Sequence, residues 1–254
     1  MIHILIDVHC HTNLYLDLSN IIEDALRVGV KKIIGVAMSS MSQQRILEIA
    51  SRYKEIFAAL GIHPEEVKAN SNIQYEMDET VKFIIKNKQY ICAIGEIGLD
   101  HHFVKDKELY PLQKQIFDEM LKIAQDLQLP VNLHTKGAEK QVFETLPSFN
   151  IPNVNIHWYS GPEEYLKIGM DRGYYFSLTP AIKYSPAVKK TALMVDKEHL
   201  LLESDGPVKY SGVIATPSML VDVLEITSNI KKIALKELET QIEENTRMIF
   251  PNIF

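Results

Sequence analysis

Six short apolar segments of this sequence each end in residues whose side chains can bind a metal ion or transfer a proton. Five of the nine histidines lie in these places. Imidazole and carboxylate groups together suit Zn, Mn, Fe or Co, and carboxylates with water also admit Mg. One histidine after an apolar run is usually only a hydrogen-bonding residue, but this clustering favours a metal site. The residues are Asp7, His9, His11, His63, Glu96, Asp100, His134, Lys136, His157, Glu203 and Asp205.

The segments that carry these residues belong to a series of eight apolar, β-branched runs separated by longer stretches of helical periodicity. Near-continuous apolar strands that alternate with amphipathic helices indicate a parallel sheet covered by helices. Because there is no sign of a domain boundary and no Gly-x-Gly-x-x-Gly motif, we expect an α/β fold, with residues 1–254 forming a single (β/α)8 TIM barrel. The predicted strands are 2–8, 32–37, 56–62, 90–97, 131–134, 154–158, 174–178 and 200–204, and helices are predicted over 42–54, 110–127, 217–230 and 235–250.

The ends of these strands determine where the chemistry lies. In a parallel barrel all C-terminal strand ends meet at one mouth, where enzymes with this fold have their active sites. Residues two apart on a strand face the same side, so we expect Asp7, His9 and His11 to share a side. Six potential ligands exceed what one open catalytic ion needs, and two ions bridged by one carboxylate, most naturally Glu96, account for the number better. Asp7 and Glu203 are then expected to orient the ligating imidazoles or the attacking water.

The charge balance restricts how this protein can hold a polyanion. The chain has 27 Lys and Arg against 33 Asp and Glu, a formal net charge of −6. This argues against binding of nucleic acid through bulk charge, but not against a nuclease whose metal ions supply the positive charge. The chain opens without a secretory signal and no run approaches the ~18 apolar residues of a membrane helix. We therefore expect a cytoplasmic protein without membrane association, in which Cys10 and Cys92 are buried and reduced.

The sequence also carries seven short motifs in a fixed order. They are Asp7-x-His9-x-His11, Gly61-Ile-His63-Pro64-Glu65, Ile94-Gly-Glu96-Ile-Gly-Leu-Asp100, Leu129-Pro-Val-x-x-His134, His157-x-x-Ser160-Gly161, Phe176-Ser-Leu-Thr179 and Leu202-Glu203-Ser-Asp205-Gly-Pro207. Taken together, the motifs resemble the TatD family of metal-dependent hydrolases. The segment Glu244-Asn245-Thr246-x-x-Ile249-Phe250 resembles the closing helix of that family, so the resemblance runs from residue 4 to about 250.

The resemblance implies a (β/α)8 barrel with a two-metal site that hydrolyses DNA or other phosphoesters. By motif, His9 and His11 would bind one ion, which Asp205 would complete. Glu96 would bridge to a second ion, and His134 and His157 would bind that ion. The catalytic residues would be Asp205, as the general base that positions the attacking water, and Glu96.

The residues around this site depart from the family pattern. Lys136 stands where the family commonly has an arginine, so it offers positive charge but no bidentate fork for phosphate. The segment 208–217 is shortened and has no arginine. We expect Lys136 to bind substrate with Lys105 or Lys183 at the rim, and His63 either to bind substrate phosphate or to support Glu96. Trp158 and Tyr159 replace the family's Cys-Phe pair; packing is a commoner role for such residues than stacking on a nucleobase.

The function that these expectations define is two-metal hydrolysis of phosphodiesters, most simply a TatD-type deoxyribonuclease acting as a 3′–5′ exonuclease on single-stranded DNA. An amidohydrolase or deacylase on the same barrel is one alternative, although a carboxylated lysine commonly bridges the metals there and Glu96 occupies that place. A phosphoesterase for small phosphoesters is another, and a metal-binding module without turnover is a third. Single-stranded DNA is the expected partner, and no obligate protein partner is indicated.

Overall fold

Eight parallel strands form the centre of the molecule, and each lies beside the next in chain order. The computed structural model describes residues 4–69 and 72–254. Backbone hydrogen bonds from Asp205 N to His9 O and from His11 N to Gly206 O join the last strand to the first, which closes the barrel. The strands are β1 (Leu5–Cys10), β2 (Val30–Val36), β3 (Ile56–Leu60), β4 (Ile91–Gly98), β5 (Val131–His134), β6 (Val154–Ile156), β7 (Tyr175–Leu178) and β8 (Leu200–Leu202).

Helices follow the strands and cover the outside of the barrel. The predicted helix 110–127 has the predicted bounds: Pro111 lies in its first turn, where a missing N–H costs little, and Gln128 ends it in a left-handed conformation. The helices α6, α7 and α8 between β5 and β8 are short, which agrees with the short intervals between the predicted strands in that part of the chain. The helices are α1 (Leu18–Arg27), α2 (Ser40–Arg52), α3 (Glu66–Ala69), α4 (Ile73–Asn87), α5 (Tyr110–Leu127), α6 (Glu139–Thr145), α7 (Glu163–Asp171), α8 (Pro186–Met194), α9 (Leu220–Lys231) and α10 (Leu235–Ile249).

All eight predicted strands are present, with differences at their ends. The prediction for the first strand was wrong at its end, because β1 continues to Cys10; Ile2 and His3 lie outside the described residues. The last strand ends earlier than predicted because the N–H of Ser204 donates to the side chain of Asp7 instead of to a neighbouring strand. A hairpin of β9 (Lys209–Tyr210) and β10 (Val213–Ile214) was not predicted. This hairpin is part of the segment 208–217, which departs from the family pattern.

The core has two layers. One lies between the strands and the helices, and the other fills the barrel interior, where Ile6, Val8 and Val36 pack with Phe250 and Ile253 from the end of the chain. Burying one such side chain contributes roughly 1.5–3 kcal/mol to the free energy of unfolding. The interior layer therefore stabilises the barrel on the side away from its mouth. Cys10 and Cys92 are buried and free, as predicted.

Among the helices of residues 4–69 and 72–254, none combines the length and the apolar character that crossing a membrane requires.

Candidate metal centre

Four side chains at the mouth of the barrel form a first donor set. His9 and His11 come from the end of β1, Glu96 from β4, and Asp205 from the segment after β8. The Nε2 atom of His9 lies 3.4 Å from Glu96 Oε2 and 3.6 Å from Asp205 Oδ1. The Nε2 atom of His11 lies 3.6 Å and 3.3 Å from the same two oxygens. Ligands held at roughly 2.1 Å by one tetrahedral ion are about 3.4 Å apart, so this spacing fits one divalent ion.

The other oxygen of Glu96 faces a second donor set, which comes from the ends of β3, β5 and β6. Glu96 Oε1 lies 3.1 Å from His134 Nδ1 and 3.0 Å from His157 Nε2. These two ring nitrogens are 3.5 Å apart. His63 Nε2 is also 3.3 Å from Glu96 Oε1, so His63 lies beside the second set. The structure thus brings the other five ligands predicted from the sequence together around Glu96.

The hydrogen bonds of His9 test whether a metal fits the first set. Asn132 Nδ2 donates to Val8 O (2.8 Å), so the other side-chain atom of Asn132, its Oδ1, is an acceptor 2.9 Å from His9 Nδ1. The Nδ1–H of His9 therefore donates, and its Nε2 presents a lone pair. This buried Nε2 has no hydrogen-bond partner. A buried imidazole lone pair aimed between two carboxylates is what a divalent cation requires.

Asp100 determines which nitrogen of His134 is free to bind a metal in the second set, although no role was predicted for it from the sequence. Its Oδ2 lies 2.7 Å from His134 Nε2, so His134 donates there and is left to ligate through Nδ1. The other oxygen, Oδ1, accepts the backbone N–H groups of His102 and Val104, at 2.8 and 3.4 Å, and of Phe103. The signal was the position of Asp100 in the motif that contains Glu96, two residues beyond the strand.

Glu203 and Asp7 behave differently from each other. Glu203 Oε1 lies 3.3 Å from His157 Nδ1, in line with the expectation that it orients an imidazole. Asp7 does not contact an imidazole in this way: its Oδ1 accepts the backbone N–H groups of His9 (3.2 Å) and Ser204 (2.9 Å). The pairing of β1 with β2 shifts register between Asp7 and Cys10, which interrupts the simple alternation assumed from the sequence. Asp7 therefore holds the backbones of β1 and of the segment after β8.

Two backbone features bring the donors this close. Asp205 has a φ of +49°, in the left-handed region that Asp tolerates better than most residues. Gly98, at the end of β4, has a φ of +147°, and a Cβ there would lie 1.9 Å from His134 O. Only glycine lets β4 and β5 approach in this way, so Gly98 sets the distance between Glu96 and His134.

Burial and charge act in opposite directions on the ionisable groups of both sets. Burial raises the pKa of Glu96, but the surrounding imidazoles outweigh it and hold that pKa well below its usual range. The same opposition leaves the pKa of Asp205 below its ordinary value. Burial lowers the pKa of His157, but the carboxylates of Glu96 and Glu203 outweigh it and raise that pKa well above normal. The protons on these imidazoles are the ones that a binding divalent ion displaces.

A cavity of about 440 Å³ opens above the donor sets. Lys136 lines it, and its Nζ donates to Ser160 Oγ at 2.6 Å. Among the described residues, neither Lys105 nor Lys183 lines this cavity, so their expected role at the rim stays a prediction. The Nζ of Lys183 lies 2.6 Å from Asp222 Oδ2. The wall also contains polar residues and an apolar part. The polar residues are Glu65, His102, Thr135, Glu139 and Ser160, and the apolar ones are Met38, Phe103, Trp158 and Val208.

The fold and this centre define the class of protein: it is a metal-dependent hydrolase with a (β/α)8 barrel fold. The family model described as TatD related DNase matches residues 6–251, so the chain belongs to the TatD family. The resemblance drawn from the motifs is thereby confirmed.

Relatives and solved structures agree with this family. An uncharacterized metal-dependent hydrolase of Methanocaldococcus jannaschii is 32% identical over 252 residues, 96% of each chain. The deoxyribonuclease TATDN3 of Homo sapiens is 26% identical and matches 98% of this chain and 95% of its own length. The crystal structure of YjjV, a TatD homologue from Escherichia coli, superposes with a TM-score of 0.90 at 26% identity and covers 99% of both chains.

Proposed function

We propose that residues 1–254 form a single hydrolase domain that cleaves phosphodiester bonds in single-stranded DNA with two divalent metal ions. One observation carries the two-metal part: the two oxygens of Glu96 face different imidazoles, Oε2 those of His9 and His11, and Oε1 those of His134 and His157. A carboxylate placed in this way can bridge two ions. Zn, Mn, Co and Mg are all compatible with imidazole and carboxylate donors.

The donor sets define how the reaction would be divided among the residues. His9, His11 and Asp205 would hold one ion, and His134 and His157 the other, with Glu96 between them. Bound there, the ions supply charge for the phosphate oxygens and lower the pKa of water. Lys136 and His63 line the cavity, and we assign them the role of donating hydrogen bonds to the phosphate oxygens of the substrate.

We assign the role of general base to Asp205. Its carboxylate lines the cavity, and its lowered pKa keeps it ionised at neutral pH. It takes a proton from the attacking water while the water oxygen forms a bond to phosphorus. The bond from phosphorus to the leaving oxygen then breaks, that oxygen takes up a proton from solvent water, and Asp205 releases the proton that it accepted to solvent.

DNA as substrate is supported by the relatives and by the charge of the site. TATDN3 of Homo sapiens is named a deoxyribonuclease. The chain is acidic overall, so the attraction for a polyanion must come from the ions and from Lys136. These features favour an unpaired strand end, presented to a small cavity, over a duplex gripped along its length.

The test is hydrolysis of end-labelled single-stranded DNA by protein freed of metal with a chelator and then given Mg, Mn, Co or Zn. We expect metal-dependent release of nucleotides that Glu96→Gln abolishes. Glu225→Gln, the same change at an exposed position on α9, is the matched control and should retain full activity. Intact DNA in the presence of every metal would refute the substrate, and small phosphoesters and aminoacyl esters would then be tried with the same variants.

A further inference from the structure

Trp158 occupies a backbone conformation that its side chain does not favour. Its φ is +39°, in the left-handed region where bulky residues are rare and glycine or asparagine is common. This conformation accompanies a backbone hydrogen bond: the N–H of Trp158 donates to Glu203 Oε1 at 2.8 Å. The same oxygen faces His157 Nδ1. Glycine or asparagine would make that backbone hydrogen bond with less strain. The indole itself therefore needs a separate explanation.

The indole is held in place but is not sealed in the core. Tyr210 of the β9–β10 hairpin packs edge-on against it, with ring centroids 5.3 Å apart. Tyr210 is itself buried, and its hydroxyl donates to Ser204 O at 3.2 Å. Trp158 remains only partly buried and lines the cavity above the metal donors. Tyr159 differs: it is buried, and its hydroxyl donates to Pro162 O, so packing explains it fully.

The cavity has the size and polarity for one nucleotide. Its volume of about 440 Å³ lies within the roughly 300–1,000 Å³ of small-molecule sites. The metal donors, Lys136 and the carboxylates of Glu65 and Glu139 provide the polar side, and Trp158 and Phe103 provide the aromatic one. An aromatic ring beside a phosphate site binds any nucleobase by stacking, but only a base that is not already stacked in a duplex.

We propose that Trp158 is the platform on which the nucleobase of the substrate stacks, so that the site prefers phosphodiesters of unpaired nucleosides over phosphodiesters without a base. This proposal rests on the proposed function and adds the determinant of substrate preference. It also gives the β9–β10 hairpin a role, because Tyr210 holds the platform in position.

Trp158 can report on its own ligand, because it is the single tryptophan of the chain. Indole fluorescence of the metal-loaded protein is titrated with thymidine 5′-monophosphate and, separately, with deoxyribose 5-phosphate. We expect saturable quenching by the nucleotide and none by the base-free sugar phosphate. Equal responses to the two, or no response to either, would overturn the proposal, and this result does not depend on turnover.

A kinetic comparison separates stacking from a structural role. The substrates are the p-nitrophenyl phosphodiesters of thymidine and of methanol, which share a leaving group. Stacking on an aromatic residue is worth about 5-fold to 150-fold per base, so Trp158→Asn should lower the thymidine-to-methyl ratio of kcat/KM by about that factor. Trp158→Phe should restore most of the ratio. Tyr90→Asn, at an exposed aromatic residue just before β4, should leave the ratio unchanged.

The outcomes distinguish this proposal from the function on which it rests. If Trp158→Asn slows both substrates equally, the residue is only structural and the proposal is wrong, while phosphodiesterase activity stands. If the wild-type protein hydrolyses neither ester, the proposed function fails, and the fluorescence titration alone decides whether the cavity stacks a nucleobase on Trp158.

Discussion

The two ends of the barrel are both filled with buried side chains, but their chemistry is opposite. At the N-terminal end, Phe250 and Ile253 pack into the interior against Ile6 and Val36, and the Nζ of Lys32 at the start of β2 donates to Ile253 O. At the C-terminal end, the buried groups are imidazoles and carboxylates whose desolvation opposes folding. One end therefore stabilises the fold through apolar burial, and the other holds costly groups for function.

The largest effect should come from the functional end. We expect Asp205→Asn to lower kcat/KM on the phosphodiester substrate by roughly a thousandfold or more, because the amide cannot accept the proton of the attacking water. Far-ultraviolet circular dichroism should be unchanged. The matched change Asp222→Asn, at a surface ion pair with Lys183, should have little effect on the rate. Comparable rates for the two variants would remove Asp205 from the chemistry.

The apolar end should show the reverse pattern. Phe250→Ala leaves a cavity in the interior layer and should cost about 3–5 kcal/mol of unfolding free energy in urea titrations. The variant that remains folded should keep its kcat/KM within about twofold, since Phe250 packs in the apolar interior layer at the N-terminal end of the barrel. Phe254→Ala is the matched control: Phe254 is partly exposed over Lys32 and Arg247, and we expect a loss below about 1 kcal/mol. A large loss of activity in folded Phe250→Ala would break the division between the ends.

A smaller effect should separate metal binding from folding within the functional end. In Asp100→Asn, the side-chain oxygen that meets the backbone N–H groups of residues 102–104 must stay an acceptor, so the new NH2 group faces His134 Nε2. His134 is then forced to protonate Nδ1, the atom that would bind the metal. We expect a 10-fold to 100-fold loss of metal affinity in chelator competition.

The control for this prediction is Asp118→Asn, at a surface pair with Lys114 on α5. It should bind metal as tightly as the wild type. Unchanged affinity in Asp100→Asn would mean that the carboxylate does not select the ligating nitrogen of His134.

The smallest effect is a dependence of the metal-free protein on pH. The pKa values of His134 and His157 are raised above 6.5, so the stability they contribute is complete below pH 6.5 and is lost as pH rises through the raised values. Burial raises the pKa of Asp7 from 3.8 to about 7. The stability that this residue contributes is therefore also lost as the pH rises from 3.8 to about 7. The lowered pKa of Glu96 acts in the opposite sense, and its contribution disappears below about pH 4.5.

Calorimetry in the presence of a chelator checks this prediction. The Tm of the metal-free protein should be highest near pH 5–6 and fall between pH 6 and 8. Added metal should raise the Tm more at pH 8 than at pH 6, because fewer protons must leave the imidazoles. A Tm that rises from pH 6 to 8 without metal would contradict the charge balance described for the donor sets.

The sequence predicted the strands well, and it predicted that the candidate ligands lie together, because both predictions depend on local patterns joined by one rule of topology. Apolar β-branched runs mark the strands, and closure of a parallel barrel brings their polar ends together, so the positions of His9 and His134 followed without knowledge of any contact. The role of Asn132 could not be predicted, because it meets His9 across 123 positions of the chain.

The loops were less predictable because their paths depend on contacts that no local pattern encodes. The predicted strand 154–158 ends at Ile156, since the chain turns at Trp158 to meet Glu203. The β9–β10 hairpin was missed because its strands are two residues long and carry no clear alternation. The lysines expected at the rim depended on loop paths in the same way, and only Lys136 lines the cavity among those three in the described chain.

The central claim, that Glu96 joins two metal sites, is tested most directly by counting ions. Protein equilibrated with Mn or Zn and freed of excess is analysed for metal by mass spectrometry, for the wild type and for Glu96→Gln. We predict two ions per wild-type chain and at most one in the variant, with Glu225→Gln retaining two. One ion in the wild type, or two ions held equally well by Glu96→Gln, would contradict the claim.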